Sequence, residues 1–146
     1  MERLTAFEDA AREIIAERSA AIFKRDSREV LDLRDIEGVH KMRVATRRLR
    51  AALEVFAPAL DRHRGKRALH RVKVLAEALG ERRDRDVALE ALETLRDATA
   101  GPERRAVEIL IGELRDEQQR ANDELAKALA RVRRERLQQR LERLAR

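Results

Sequence analysis

The sequence predicts an all-α protein, an antiparallel helical bundle of about four to five helices that ends in a long C-terminal helix. Apolar residues recur every three or four positions through most of the chain, which is the period of one helix face. No stretch alternates strictly between apolar and polar residues, as a half-buried strand does. The 146 residues contain only five glycines and two prolines, which suits one bundle with few breaks. We therefore expect a single domain over residues 1–146.

The first predicted helix starts at Thr5, because Thr5 and Glu8 have the spacing of a capping box, and it runs to about Arg28. The stretch 26–35 has no clear period and its structure stays ambiguous. At its end, Asp35 has the side chain of a good N-cap and is expected to start the second helix.

The second helix is predicted to stop near Ala57, because Pro58 disfavours the helical conformation in the residue before it. A third helix is expected to begin after Gly65 and to end near Gly80, since glycine is the commonest residue just past a helix end. Together with a fourth helix, these form a motif-bearing core over about 36–98.

Either Asp84 or Asp86 can cap the fourth helix, which is expected to end near Ala98. The long C-terminal helix covers about 102–146, and at about 1.5 Å per residue it would be roughly 65 Å long. Its apolar rhythm changes phase before Leu137. We therefore expect the far end of this helix either to fold back or to find a partner.

Positive charge is concentrated in two segments. Between Val39 and Asp86, fourteen Lys and Arg stand against six Asp and Glu, a local charge of +8 in a chain whose net charge is +6. Residues 131–146 add seven Arg against two Glu. Such a concentrated positive potential attracts polyanions and speeds their capture.

Several classes of site are excluded or disfavoured. The chain has no cysteine, so thiolate metal sites and cysteine nucleophiles are excluded. His40, His63 and His70 lack the spacing of a zinc site, and no Gly-rich phosphate loop accompanies them. We therefore predict no metal, no cofactor and no catalytic residue. No apolar run is long enough to span a bilayer and no signal peptide is evident, so we expect a cytoplasmic protein without a membrane partner.

The stretch VHKMRVATRRLR contains a basic stripe. Its members follow one another at intervals of three, four and three residues: His40, Arg43, Arg47 and Arg50. These intervals place them on one face of a helix, beside the apolar stripe and not opposite it. The side chains should therefore emerge at a groove between neighbouring helices. Arg48 lies on a separate flank. Like charges at these intervals repel slightly, so helix stability does not explain the stripe.

The next helix adds further positive charge, including Lys66, His70 and Lys73. Glu54 is the only acidic residue between Val39 and Leu60. Most of the basic stripe is therefore left without a partner in its own helix, and we predict an anion-binding groove between the second and third helices. Salt bridges to acidic residues of other helices are the competing, purely structural explanation.

The segment LGERRDRDVALEAL, residues 79–92, contributes further candidates. Arg83 is the better placed of two neighbouring arginines to reach an anion, and Arg82 could equally be solvated. One of Asp84 and Asp86 can cap the fourth helix, and the other can orient an arginine in the groove. Both aspartates are therefore predicted to support the site.

Two other functions stay open from the residues alone. The stripe would also attract the backbone of duplex nucleic acid, although the aromatic residues give no support to a nucleic-acid partner. Tyr and Trp are absent and the three Phe residues lie on apparent core faces, so no stacking platform for single strands is evident. The other possibility is a structural oligomerisation module in which the basic surface only keeps the protein dissolved.

Two motifs give the chain a family resemblance. VHKMRVATRRLRAALEVF, followed after a gap by LGERRDRDV, resembles the CHAD domain, the conserved histidine α-helical domain. The resemblance implies a helical bundle that binds inorganic polyphosphate in a basic channel and associates with polyphosphate granules. By motif position, the resemblance implies that the functional residues of the family's first basic helix are matched here by His40, Arg43, Arg47, Arg48 and Arg50. The family's later Arg-Asp turn is matched by Arg83, Asp84 and Asp86.

One departure from the family pattern affects the expected assembly. CHAD domains usually contain two similar bundles, each with its own basic helix, in about twice this length. No second His-x-x-Arg helix follows Leu92. The chain is then either a piece of a longer domain or a short member that restores the pair as a homodimer, a role that would suit the long final helix.

Overall fold

The computed structural model describes the backbone of residues 2–146 and the side chains of residues 5–146. It contains six α-helices and one short 3₁₀ turn, Ala57–Ala59. The helices are α1 (Glu2–Phe23), α2 (Ser27–Val30), α3 (Glu37–Val55), α4 (Arg62–Asp97), α5 (Gly101–Arg134) and α6 (Leu137–Leu144). No strand occurs over residues 2–146. The predicted all-α class is therefore confirmed, and none of the described helices is both long and apolar enough to cross a membrane.

Two apolar clusters hold the bundle together. The larger one joins all six helices and includes the fully buried side chains of Ile15, Leu49 and Leu125. The smaller one lies between the distal ends of α4 and α5, where Leu89 packs with Val107 and Ile111. The two longest helices thus form a hairpin that continues past the main core.

The first segment differs from the prediction. Helix α1 begins at Glu2, so Thr5 lies inside the helix and the predicted capping box is wrong. The helix ends at Phe23, and the ambiguous stretch contains the separate one-turn helix α2. Asp26 caps α2, because its side chain accepts the backbone N–H of Arg28 at 3.1 Å.

Helix α3 begins close to its predicted start. Asp35 Oδ1 accepts the Glu37 backbone N–H at 3.1 Å, although the N-cap position itself is Ile36. Gly38, in the first turn, is needed for packing, since a Cβ atom there would lie 2.5 Å from the Glu29 carbonyl oxygen. The helix ends at Val55, two residues before the predicted end.

The predicted break at Gly80 is wrong, since α4 runs through it without interruption. Glycine inside a helix costs about 1 kcal/mol relative to alanine, which flanking burial readily exceeds. Leu79 is fully buried beside it, and Arg82 forms an i,i+4 pair with Asp86 one turn later. Because no helix starts here, neither Asp84 nor Asp86 is an N-cap.

The C-terminal segment folds back, which is one of its two predicted outcomes. Helix α5 ends at Arg134, and Arg136 then adopts a left-handed conformation with φ 56°. The chain reverses into α6, which buries Leu137, Leu141 and Leu144 in the main core. The change in apolar phase before Leu137 therefore marks a turn between two helices.

Candidate anion-binding site

One end of the basic stripe of α3 lies beside α4. Glu54 Oε1 is 3.3 Å from Arg50 Nε in its own helix and 4.0 Å from Lys73 Nζ of α4. Arg50 and Lys73 therefore approach one carboxylate from two sides. This end of the stripe emerges at the groove between α3 and α4, where the helical wheel predicts it.

The register of the two antiparallel helices extends this groove. Taking Glu54 and Lys73 as level, and about 1.5 Å per residue in each helix, Arg47 stands at about the height of Gly80. Arg43 stands at about the height of Asp84 by the same count, next to Arg83. Beyond the adjoining backbone of α4, no described atom lies within 4 Å of the position that a Gly80 Cβ would occupy, so the wall opposite Arg47 is open. We call this surface the α3–α4 groove; it comprises Arg43, Arg47, Arg50, Lys73, Gly80 and Arg83.

Three guanidinium groups of the α3–α4 groove have no partner. Arg43 and Arg47 are exposed and Arg83 is half-buried, and their side chains form no hydrogen bond or ion pair with residues 5–146. Arg50 is paired with Glu54, and that carboxylate is itself shared with Lys73. The groove therefore holds more positive charge than the described side chains neutralise.

His40 begins the stripe in a partly buried position. Its Nδ1 atom is buried and has no hydrogen-bond partner among the described groups, whereas its Nε2 atom is not buried. A ligand could therefore be reached only through Nε2, as a single hydrogen bond.

The other predicted binding residues lie outside the α3–α4 groove. Lys66 and His70 line a cleft of about 340 Å³ between α4 and α5, together with Arg131 of α5. They follow the same ridge of α4 as Lys73, so they extend its positive charge away from α3. Arg48 lies on the opposite flank of α3, where its carbonyl oxygen accepts a 2.8 Å hydrogen bond from Arg18 of α1.

The second motif forms a buried polar network, which the sequence did not reveal. Arg82 is fully buried, not solvated. Its guanidinium donates to Asp86 Oδ1, to Asn122 Oδ1 and to the Asp32 carbonyl oxygen at 2.8 Å each, and to the Val30 carbonyl oxygen at 3.3 Å. Such a charged group is tolerated in a core because its donors are satisfied.

Two amide side chains of α5 complete this network. Gln118 Nε2 donates to Asp86 Oδ1 at 2.7 Å, and Asn122 Nδ2 donates to the Leu31 carbonyl oxygen at 3.0 Å. The network ties the segment before α3 to both long helices, and so it fixes the start of the helix that carries the stripe. Asp86 therefore orients an arginine, but that arginine is Arg82 of the core. Asp84 is exposed and has no partner among the described residues.

A larger cleft lies elsewhere and has mixed charge. It has a volume of about 890 Å³ between α4 and α5, and glutamates such as Glu77, Glu81 and Glu117 alternate around it with arginines. Four glutamates and five Lys or Arg line it, so most of its positive charge is already balanced. No group of three or more His, Asp or Glu side chains over the described part of the chain is arranged to hold a metal ion.

Comparison with known families bears on both motifs. The CHAD domain matches residues 13–146, which include all of α3, α4, α5 and α6. No curated protein and no solved structure matches the chain. Since the match covers most of the sequence, including the basic stripe and the Arg82 network, the chain belongs to the CHAD domain family.

Proposed function

We infer that this CHAD domain binds inorganic polyphosphate along the α3–α4 groove, without catalysing a reaction. The observation that carries this proposal is the set of three guanidinium groups, those of Arg43, Arg47 and Arg83, that have no partner among residues 5–146. The register of α3 and α4 assigns them to one groove. Membership of the family supports the choice of polyphosphate, because polyphosphate binding is its general association.

The spacing of the stripe suits a linear polyanion. Arg43 and Arg47 are one turn apart, so successive guanidinium groups stand about 6 Å apart along the helix axis. A chain of phosphates parallel to α3 could contact each of them in turn. Each charge-assisted hydrogen bond contributes about 1.5–3 kcal/mol, and guanidinium groups can bind two phosphate oxygens at once.

The remaining predicted residues have secondary roles in this proposal. His40 Nε2 would donate one hydrogen bond at the start of the groove. Lys66 and His70, on the ridge beyond Lys73, would contact a chain that leaves the groove towards α5. Arg48 is the least favourably placed, because it lies on the flank that faces α1.

The proposal is tested by charge reversal. We would measure binding of long-chain polyphosphate to the parent and to the Arg43→Glu, Arg47→Glu variant at low and moderate salt. We expect the parent to bind with a strong salt dependence, because bound cations are released, and the variant to lose most of its affinity. Circular dichroism would verify that both are folded.

A matched control separates the groove from general charge. Arg105 and Arg120 of α5 are also exposed and form no ion pair with described residues. The Arg105→Glu, Arg120→Glu variant changes the net charge equally and should retain most of the binding. Equal losses in both variants would contradict a localised site. Duplex DNA that displaces polyphosphate efficiently would point instead to a nucleic-acid backbone as the ligand.

A further inference from the structure

We propose a second anion site, between α4 and α6, that holds one phosphate-sized oxyanion independently of the α3–α4 groove. Five arginines surround a small cavity of about 90 Å³ over Ala68. Three come from the start of α4 and two from α6: Arg64, Arg67, Arg71, Arg140 and Arg143. We call these residues the arginine cluster.

Apolar burial brings the arginine cluster together. The left-handed residue Arg136 reverses the chain, and Leu137 and Leu141 are then fully buried in the main core. With these leucines inside, Arg140 and Arg143 remain exposed on the side of α6 that borders α4. The core thus holds like charges close together, and a bound anion would relieve their repulsion.

The described carboxylates compensate the arginine cluster only in part. Glu135 Oε2 is 2.9 Å from Arg71 Nε, and Asp61 Oδ1 accepts the backbone N–H of Arg64. Arg140 Nε donates to the Glu135 carbonyl oxygen at 2.8 Å, and its terminal nitrogens form no hydrogen bond with residues 5–146. These are two carboxylates against five guanidinium groups.

Arg67 and Arg143 are the clearest ligand candidates. Both are exposed, and neither side chain has a hydrogen bond or an ion pair with residues 5–146. They face one cavity from two different helices. An anion there would receive donors from both walls.

The size of the cavity selects the ligand class. A volume of 90 Å³ corresponds to about three water molecules at their liquid volume, enough for one tetrahedral oxyanion but not for a nucleotide. Planar guanidinium forks match pairs of phosphate oxygens. The site therefore fits a single phosphate group, either of free phosphate or pyrophosphate or at the end of a polyphosphate chain.

The arginine cluster is separate from the α3–α4 groove. Arg67 and Lys73 are six residues apart in α4, so their side chains point about 120° apart around the helix axis. Arg67 and Arg71 also line the cleft towards α5 that Lys66 and His70 border, so only a chain that extends beyond the α3–α4 groove could reach them. The site shares no residue with the α3–α4 groove, and a short probe such as pyrophosphate therefore tests it separately from the proposed function.

The test uses pyrophosphate as the probe and arginine Nε–Hε NMR signals as the readout. We expect the signals of Arg67 and Arg143 to shift on titration of the parent. Affinity, read in every variant from the signals of Arg71 and Arg140, should fall at least tenfold in the Arg67→Gln, Arg143→Gln variant. It should stay within twofold in the Arg105→Gln, Arg120→Gln control and in the Arg43→Gln, Arg47→Gln variant of the groove. Circular dichroism would verify the fold of each variant.

The alternative outcomes are distinct. Saturable shifts of the Arg71 and Arg140 signals that survive in the Arg67→Gln, Arg143→Gln variant, or no such shifts in the parent at millimolar pyrophosphate, would overturn the second site. Loss of pyrophosphate binding only in the Arg43→Gln, Arg47→Gln variant would also overturn the second site, and the same result would support binding in the α3–α4 groove. A parallel titration of the Arg43→Gln, Arg47→Gln variant with long-chain polyphosphate distinguishes the sources of the phosphate group. If the site takes chain ends, the Arg71 and Arg140 signals shift with long-chain polyphosphate as they do with pyrophosphate. If the site takes only free phosphate or pyrophosphate, they do not shift.

Discussion

Removal of the Glu54 carboxylate should strengthen polyphosphate binding. Glu54 is the acidic residue that pairs with both Arg50 and Lys73 in the α3–α4 groove. In the Glu54→Gln variant both cations lose this partner and a ligand phosphate loses a repulsive neighbour. The ion pairs are exposed, so we expect folding to lose at most about 1 kcal/mol.

The expected gain in affinity follows from the distances between Glu54 and the two cations. Arg50 Nε and Lys73 Nζ lie 3.3 and 4.0 Å from Glu54 Oε1. A phosphate bound to either cation would therefore stand roughly 7 Å from the carboxylate, with a repulsion of about 0.6–1.2 kcal/mol at an effective dielectric constant of about 40–80. This energy corresponds to about three- to eightfold tighter binding, since about 1.4 kcal/mol is a factor of ten.

The assay is calorimetric titration with polyphosphate of defined length at two salt concentrations. Glu108→Gln is the matched control, because Glu108 Oε1 lies 3.3 Å from Arg104 Nε with the same i,i+4 spacing and similar exposure. Both variants raise the net charge by one. Equal gains in affinity would mean that overall charge, and not the groove, controls binding. Weaker binding by Glu54→Gln would refute the reasoning, since Glu54 would then be positioning the cations for the ligand.

Three further predictions concern the bundle itself. Gly38→Ala should destabilise the fold by about 1–3 kcal/mol in chemical denaturation, because the new Cβ would meet the Glu29 carbonyl oxygen at 2.5 Å; an unchanged midpoint would contradict that packing. Arg82→Met should lower the free energy of unfolding by about 3–5 kcal/mol, because it leaves the buried Asp86 carboxylate without its cation. Arg83→Met is the control and should cost much less, because Arg83 is half-buried and has no partner among residues 5–146. The pKa of Glu135 is lowered in the fold, chiefly by the hydrogen bond from Arg131. The ionised Glu135 carboxylate therefore stabilises the fold fully above the ordinary carboxyl pKa, and this contribution is lost as pH falls through the lowered pKa of the folded state. Thermal unfolding of Glu135→Gln should therefore depend less on pH in the acid range than that of the parent.

The helical wheel predicted the exposed side of α3 because helix periodicity is local information. Met42 and Leu49 are buried, whereas Arg43 and Arg47 are exposed on the neighbouring face, as their spacing requires. Whether these arginines bind polyphosphate stays a prediction. The position of Lys66 was harder to predict, since a residue on the ridge of α4 can border either of two grooves.

The errors arose where distant residues decide the outcome. Gly80 has the sequence character of a helix end, but packing on both sides of it keeps α4 continuous. Arg82 looks like one more surface arginine, and its burial depends on acceptors 40 to 52 residues away, at Asn122 and Val30. Local patterns contain no information about such contacts. A hydrophobic flank on both sides of Arg82, with Leu79 and Leu89 at helical spacing, is the one signal in the sequence that favours burial.

The Arg82 network also divides the long hairpin into two units of different stability. Along α4 it lies between Leu79 of the main core and Leu89 of the small cluster, and along α5 Gln118 and Asn122 lie between Leu125 and Ile111. The tip of the hairpin therefore has few apolar contacts of its own, and opening it need not expose the main core. We expect its amide hydrogens to exchange through local opening, while those between Ala68 and Leu79 exchange only on global unfolding. Uniform protection along α4 would show that the hairpin opens as one cooperative unit.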